Sequence, residues 1–221
     1  MKRSYDLVVL GAGPAGESAA ELAAFFGRTV VIVERNKPGG AVTTTGGVPT
    51  KTLREATLAM TGFFDRDVYG ITIAAPPKVA VEKIAERTRR VAELLQELTA
   101  QNITNNNIEY YQGTARVGPN RTVYVTSSKG ENHVLSAKNI LVATGSLPSH
   151  PKEIPFEDPD VWDSDEFFSR GRRIPKSLLI VGGGPVGVEF ATVFAGLEVP
   201  TTLQTPLTVS YAQWTQRCPT S

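Results

Sequence analysis

Six residues, Gly11-Ala12-Gly13-Pro14-Ala15-Gly16, constrain this chain more than any others. They follow a short apolar run, residues 5–10 (YDLVVL), of the kind that forms a strand buried on both faces. Apolar residues at helical spacing come next, over 16–26, with Gly27 as the stop. Residues 29–34 (TVVIVE) are β-branched and apolar again. Strand, helix and strand in about thirty residues make a βαβ unit. A G-x-G-x-x-G turn at its start is the dinucleotide fingerprint. Gly11 permits the tight turn, Gly13 lets the backbone approach a pyrophosphate, and Gly16 lets the helix pack close to the strand. The N-terminus of the helix offers unpaired N–H groups and the positive end of its dipole to the phosphates. Glu34 ends the second strand, where a carboxylate can accept hydrogen bonds from ribose hydroxyls. The plain alternative is a glycine-rich packing turn, and the motif alone does not separate FAD from NAD.

The signature recurs at Gly182-Gly183-Gly184-Pro185-Val186-Gly187, with Gly182, Gly184 and Gly187 in the key places. Residues 178–181 read as its strand, 188–195 as its helix and 199–203 as the next strand. That strand runs out at Leu203-Gln204-Thr205, without an acidic residue or a nearby arginine, so the usual discriminator between NAD and NADP is missing. Between the two signatures lie a second glycine-rich turn (Gly39-Gly40 and Gly46-Gly47) and a helix from Lys51 to about Met60. An amphipathic helix is expected over 83–99, and short strands at 108–111, 122–126 and 133–136 form an antiparallel meander. Residues 139–143 (NILVA) read as a further buried strand.

Bulk composition excludes several classes. Of 221 residues, 41% are hydrophobic and 20% charged, as in a folded globular protein. The 23 basic and 22 acidic residues nearly cancel, so no global field favours nucleic acid or an anionic membrane. Arg87, Arg89 and Arg90 alternate with Glu82, Glu86 and Glu93, the pattern of a solvated, ion-paired helix face. Cys218 is the sole cysteine, which rules out an intrachain disulfide framework and a cysteine-rich metal site. No metal site is expected. His133 and His150 are the only histidines, and they, like Trp162 and Trp214, read as surface or packing residues. The most apolar long stretch, 178–197, carries glycines, Pro185 and Glu189, against a membrane span. The expectation is a cytoplasmic protein with neither nucleic-acid nor membrane partners.

Several motifs agree in order: GAGPAG, the GG-x-x-x-x-x-GG-x-P-T-K run at 39–51, VATG at 142–145 and GGGPVGVEFA at 182–191. On these the chain resembles the pyridine nucleotide–disulfide oxidoreductases, over roughly residues 4–205. Within them it is most similar to the soluble, Si-specific NAD(P) transhydrogenases, through Pro49-Thr50-Lys51-Thr52-Leu53-Arg54-Glu55-Ala56 and Asp163-Ser164-Asp165. The resemblance implies an α/β fold: a Rossmann-like three-layer FAD-binding domain with a β-meander insertion, then a partial second Rossmann-like NAD(P)-binding unit. The implied boundaries are 1–150 for the FAD domain, 151–173 for a connector returning towards it, 174–205 for the NAD(P) unit and 206–221 for an aberrant tail.

The resemblance also implies roles. Gly11, Gly13 and Gly16, with Pro14 and Ala15, hold the FAD pyrophosphate. Glu34 holds the adenosine ribose, with Arg35 next to it. Gly113, Thr114 and Ala115 lie by the adenine, and Ala143, Thr144 and Gly145 approach the pyrophosphate side of the flavin. Gly182, Gly184 and Gly187 hold NAD(P). Lys51 stands beside flavin N5 and pairs with Glu189, the two being the implied catalytic residues. A cation there stabilises a reduced flavin's negative charge, and a partly buried lysine needs a carboxylate partner. The implied substrates are nicotinamide dinucleotides, with FAD relaying hydride between NADPH and NAD.

Two departures shape the expectation. Disulfide members carry a C-x4-C pair where this chain has Val42 and Gly47, so thiol–disulfide exchange is excluded and a transhydrogenase-like relay favoured. The family also has a C-terminal dimerisation domain that this sequence does not show. Residues 206–221 (PLTVSYAQWTQRCPTS) have no clear periodicity, as expected of a chain cut short. The family's homodimer is therefore not expected here. The alternatives are an inactive FAD-binding fragment, or another NAD(P)H:acceptor flavoprotein such as a dihydrolipoamide dehydrogenase-like paralogue.

Overall fold

In the computed structural model, which describes residues 3–61, 77–169 and 174–205, the elements run in a βα order that turns to an antiparallel meander and back. They are β1 (Arg3–Leu10), α1 (Pro14–Phe25), β2 (Val30–Glu34), α2 (Gly40–Thr44), α3 (Val48–Thr61) and α4 (Pro77–Asn105). Then come β3 (Glu109–Val117), β4 (Thr122–Ser127), β5 (Asn132–Val142), α5 (Ser164–Ser169), β6 (Leu178–Val181), α6 (Pro185–Gly196) and β7 (Thr201–Gln204). The chain divides into two units, Met1–Thr44 with Val91–Ile154, and Thr45–Arg90 with Pro155–Ser221.

In the first unit β1 lies between two parallel neighbours, β2 and β5, and β2 is in turn parallel to β3. β3 and β5 are each long enough to take part in two pairings. Glu109 to Gln112 pair with Val31 to Glu34, whereas Gly113 to Val117 turn to β4 in antiparallel register. β5 pairs with β4 over 132–136 and with β1 over 135–142, and the five strands close on themselves.

Alternation along β1 and β2 explains why both read as continuous apolar runs. Val8, Leu10, Val31 and Val33 pack inward with Val123, Val125 and Leu135 of the meander. Val9, Val30 and Ile32 face the other way, onto Ala20 of α1 and Ile103 of α4. Helices, parallel strands and meander thus form the three expected layers. Val8, Val9, Val31 and Ile32 are fully buried, each contributing about 1.5–3 kcal/mol of transfer free energy. Thr99 Oγ1 and Asn102 Nδ2 of α4 donate to the Glu17 carboxylate, both at 3.3 Å, and tie α1 to that helix.

Two boundaries differ from the sequence reading. The strands expected at 133–136 and 139–143 are one strand, β5. The polar Lys138 that interrupts the pattern points outward and pairs with Asp6 at 2.8 Å, so there is no turn. The strand expected to end at Tyr111 runs through Gly113 to Val117. A Cβ at Gly113 would stand 2.7 Å from Ser127 Cα, so glycine here permits a close strand approach. The glycine-rich segment at 39–47 also contains a short helix, α2, that was not expected.

In the second unit β6 and β7 pair in parallel. Leu178 and Ile180 pack with Phe190 and Phe194 of α6, and Trp162 and Phe167 join the same cluster. Trp162 stacks on Phe167 with ring centroids 5.5 Å apart, a packing role as the sequence suggested. Leu53 of α3, Ile84 of α4 and Val193 of α6 form a second cluster. On the opposite face of β6, Leu179 and Val181 are exposed. Trp214 and the whole of 206–221 lie outside the described residues.

Candidate dinucleotide-binding sites

The first glycine turn sits beyond the C-terminal ends of β1, β2 and β5, where open α/β sheets bind ligands. Gly11 has φ +106°, and its N–H donates to Val33 O at 2.8 Å. A Cβ on it would come within 2.9 Å of the Ala143 carbonyl carbon, so Ala143 and Thr144 lie directly against the turn. Gly16 is buried. A Cβ there would overlap the Gly11 carbonyl and lie 3.1 Å from Val9 Cγ1. Gly13 is different. Its φ of −76° suits any residue, and the nearest atom to a Cβ would be Gly40 Cα at 3.8 Å. Fold packing therefore does not demand glycine at 13, whereas a closely approaching ligand would. Gly13 caps α1, Pro14 and Ala15 open the helix exposed, and no side chain caps its N-terminus.

Glu34 ends β2 and is half-buried. Its Oε2 accepts from Ala12 N and its Oε1 from Asn36 N, each at 2.8 Å. A carboxylate offers about four lone-pair sites, so two remain for hydroxyl donors. Arg35 follows, exposed. Burial first, and the Glu34 charge second, push the Tyr110 hydroxyl up to about 12. Gln112 is the last partner of Glu34 on β3, and Thr114 and Ala115 follow it past the end of β2. Gly145, at φ +69°, turns the chain just after β5. The structure thus gathers Gly11, Gly13, Gly16, Glu34, Ala143 and Thr144 around one turn, with Thr114 and Ala115 farther along β3.

One feature of this turn escaped the sequence reading. Gly39 N donates to Ala12 O at 2.8 Å, and a Cβ on Gly40 would be 2.9 Å from Gly13 Cα. The second glycine pair docks on the first, and both its glycines have positive φ, 96° and 57°. The signal was present in the doubled glycine, but not its partner.

The second turn repeats the first. Gly182 has φ +120° and donates from N to Gln204 O at 2.8 Å. A Cβ on Gly187 would overlap the Gly182 carbonyl and lie 3.4 Å from Ile180 Cγ2. Gly184 caps α6 with φ −73°, and again no side chain caps the helix. Also in this unit, Lys51 of α3 meets Glu189 of α6. Lys51 Nζ is 3.1 Å from Oε1 and 3.2 Å from Oε2, with the lysine largely exposed and the carboxylate mostly covered.

A family model described as pyridine nucleotide-disulphide oxidoreductase matches residues 5–211, nearly the whole chain and both turns. The chain belongs to the pyridine nucleotide-disulphide oxidoreductase family. This family uses FAD and the pyridine nucleotides NAD(P). The chain is 32% identical over 203 residues to a soluble pyridine nucleotide transhydrogenase of Mycobacterium tuberculosis, covering 91% of this chain and 43% of that protein. It is 35% identical over 205 residues to the enzyme of that name from Marinomonas sp., covering 92% and 44%. Among solved structures it resembles the HOCl-induced flavoprotein disulfide reductase RclA of Escherichia coli, determined as a Cu(II) complex. That match has a TM-score of 0.76 at 27% identity and covers 92% of this chain and 42% of that one. The chain thus spans less than half the length of these members of the pyridine nucleotide-disulphide oxidoreductase family. No helix among the described residues is long and apolar enough to cross a membrane, and no group of candidate metal ligands occurs among them.

Proposed function

We propose that this chain seats FAD at its first glycine turn and a nicotinamide dinucleotide at its second, and serves a hydride relay between NADPH and NAD that needs no redox disulfide. The observation that carries this reading is the presence of two glycine turns of matching geometry in one chain whose sole cysteine is Cys218. A thiol–disulfide reaction needs a cysteine pair, whereas a relay between nicotinamides needs two nucleotide seats. The relatives named soluble pyridine nucleotide transhydrogenase support the same reading.

The residues present fit a dinucleotide at the first turn. Gly13 leaves the approach open, the uncapped N-terminus of α1 offers N–H donors, and Glu34 keeps acceptor capacity for a ribose. When bound, a flavin supplies reversible acceptance of a hydride. The chain's part is to hold and orient it. Lys51, with its charge balanced by Glu189, is the proposed cation that favours negative charge on a reduced flavin.

The test is anaerobic mixing of the FAD-loaded chain with NADPH, then with NAD. Flavin bleaching by NADPH and recovery with NAD are expected. Bleaching that recovers only with a disulfide acceptor would contradict the relay. Retained flavin without bleaching would favour a second reading, a flavin-holding fragment without turnover.

A further inference from the structure

The meander has two faces, and only one is used by the core. Ala115, Val123, Val125 and Leu135 point inward to the parallel strands. Alternation along each strand sends their neighbours outward. Arg116 pairs with Tyr124 and Tyr124 with Val134, while Thr114 pairs with Thr126 and Thr126 with Asn132. These six side chains are exposed and form two cross-strand rows. They line a cleft of about 430 Å³ on the outer face of β3, β4 and β5, within the range of about 300–1,000 Å³ that small-molecule pockets occupy.

The chemistry of this cleft is one-sided. The Arg116 guanidinium stands over the Tyr124 ring, its carbon 4.8 Å from the centroid. The ring is itself pinned from beside, because a Cβ on Gly118 would overlap Tyr124 Cε2. Stacking of this kind holds the guanidinium by its face and leaves its edge N–H donors free. Among the described residues no carboxylate pairs with Arg116. Thr126 Oγ1 donates to Asn132 Oδ1 at 3.0 Å, which leaves the Asn132 Nδ2 donors facing out. Glu131, next in sequence, is engaged with His133 Nε2 at 3.4 Å. The cleft is thus lined by a fixed cation, amide and hydroxyl donors and the apolar Val134, with no acidic side chain among the described residues. Twenty-three basic and 22 acidic residues nearly cancel over the whole chain, so this is a local arrangement and not a consequence of net charge.

We infer that the outer face of the meander is a binding site for a small molecule carrying an oxyanion, a phosphate or a carboxylate, with Arg116 as its anchor. The guanidinium edge meets either group through two parallel N–H···O bonds. Asn132 Nδ2 and the Thr114 hydroxyl supply further donors, and Val134 offers a surface to an apolar body. Tyr124 is a positioning residue, since it fixes the guanidinium before the anion arrives and so lowers the ordering cost of binding. The site is separate from the first glycine turn. Its side chains point away from the core cluster that packs beneath that turn, whereas Gly11, Glu34 and Ala143 gather at the ends of the parallel strands.

The experiment titrates the isotope-labelled chain with inorganic phosphate and, separately, with benzoate, at ionic strength held constant with sodium chloride. Nitrogen–proton correlation spectra follow the Arg116 Nε–H and Asn132 Nδ2 signals, so anions that settle at either glycine turn do not register. Saturable shifts at both side chains are expected, with half-saturation at about 1 mM. Saturation by phosphate alone assigns the cleft to phosphates, and by benzoate alone to carboxylates; either supports the inference. Arg116→Gln is expected to weaken binding at least about tenfold, read at Asn132. Tyr124→Leu keeps the charge but releases the guanidinium, and about a threefold loss is expected. Both residues are exposed, and the dispersion of the same spectra reports whether each variant is folded. Shifts that rise without saturating, that sodium chloride reproduces, or that survive Arg116→Gln unchanged would overturn the inference. Repeating the titration on flavin-loaded chain should leave the shifts in place, and their loss would overturn the separate site. A chain that retains no flavin but binds the anion at Arg116 would refute the first turn's assignment and leave this one standing.

Discussion

Gly13 and Gly16 belong to one motif but answer to different constraints, and substituting each with alanine separates them. At Gly16 a Cβ would overlap the Gly11 carbonyl and crowd Val9 Cγ1 at 3.1 Å, and neither backbone nor a β-branched core residue can yield. Overpacking of this kind costs about 1–3 kcal/mol, occasionally more, offset by about 1 kcal/mol from the better helix propensity of alanine. The overlap is with backbone, so the upper end applies and about 2 kcal/mol of net loss is expected. For a chain of this length that lowers Tm by about 4–8 °C. At Gly13 a Cβ would have its nearest neighbour at 3.8 Å, on a backbone at φ −76°. The entropic gain of alanine at a compatible site and its poorer capping nearly cancel, leaving stability within about 1 kcal/mol. Its methyl group would instead stand where a pyrophosphate must approach, with about a tenfold loss of FAD affinity, or about 1.4 kcal/mol. Thermal melts without flavin and fluorescence titration with FAD read the two effects. Equal melting losses in Gly13→Ala and Gly16→Ala, or undiminished FAD affinity in Gly13→Ala, would refute the division of roles.

Lys51→Met should change stability by less than about 1 kcal/mol, because its ion pair with Glu189 is largely exposed, yet slow NADPH-driven flavin reduction at least about tenfold, as stopped-flow absorbance would show. Asp6 is held well below the usual carboxylate range by Lys138, with further hydrogen bonds from the Thr29 N–H and hydroxyl. Its stabilisation is therefore complete above about pH 4, the unfolded value, and lost as pH falls towards the lower folded value. Urea denaturation of Asp6→Asn across pH 2–6 should show a flatter acid limb than wild type, and parallel limbs would sink this account. Tyr110, raised to about 12 by burial and then by Glu34, stabilises the neutral form. That contribution is present below about pH 10 and lost as pH climbs towards 12, so Tyr110→Phe should lose less stability over this window by the same assay.

How much of this was legible in the sequence depends on whether a constraint is local. Gly11, Gly16 and Glu34 could be read because one βαβ turn fixes all three. The continuous runs of β1 and β2 announced burial on both faces, and the structure places Val8 in one cluster and Val9 in the other. The continuity of β5 was hidden because Lys138 breaks the apolar pattern, and only its cross-strand neighbour Asp6 explains it. The docking of Gly39 and Gly40 on Ala12 and Gly13 is a contact across more than twenty residues, invisible to periodicity. At the second turn the sequence already marked Leu203-Gln204-Thr205 as the strand's end, without an acidic residue. The sequence pattern ends the second strand at Leu203, while the hydrogen bond from Gly182 fixes the register one residue further.

Flavin stoichiometry tests the central claim most directly. The purified chain is incubated with FAD, passed through gel filtration to remove free flavin, and its visible spectrum is compared with its protein content. Retention of FAD by the chain, with less retained by Gly13→Ala in the same experiment as its roughly tenfold weaker affinity requires, is the predicted result. A flavin-free chain that is nonetheless folded by circular dichroism would contradict it, and would leave the glycine turn at Gly11 to Gly16 as a packing device.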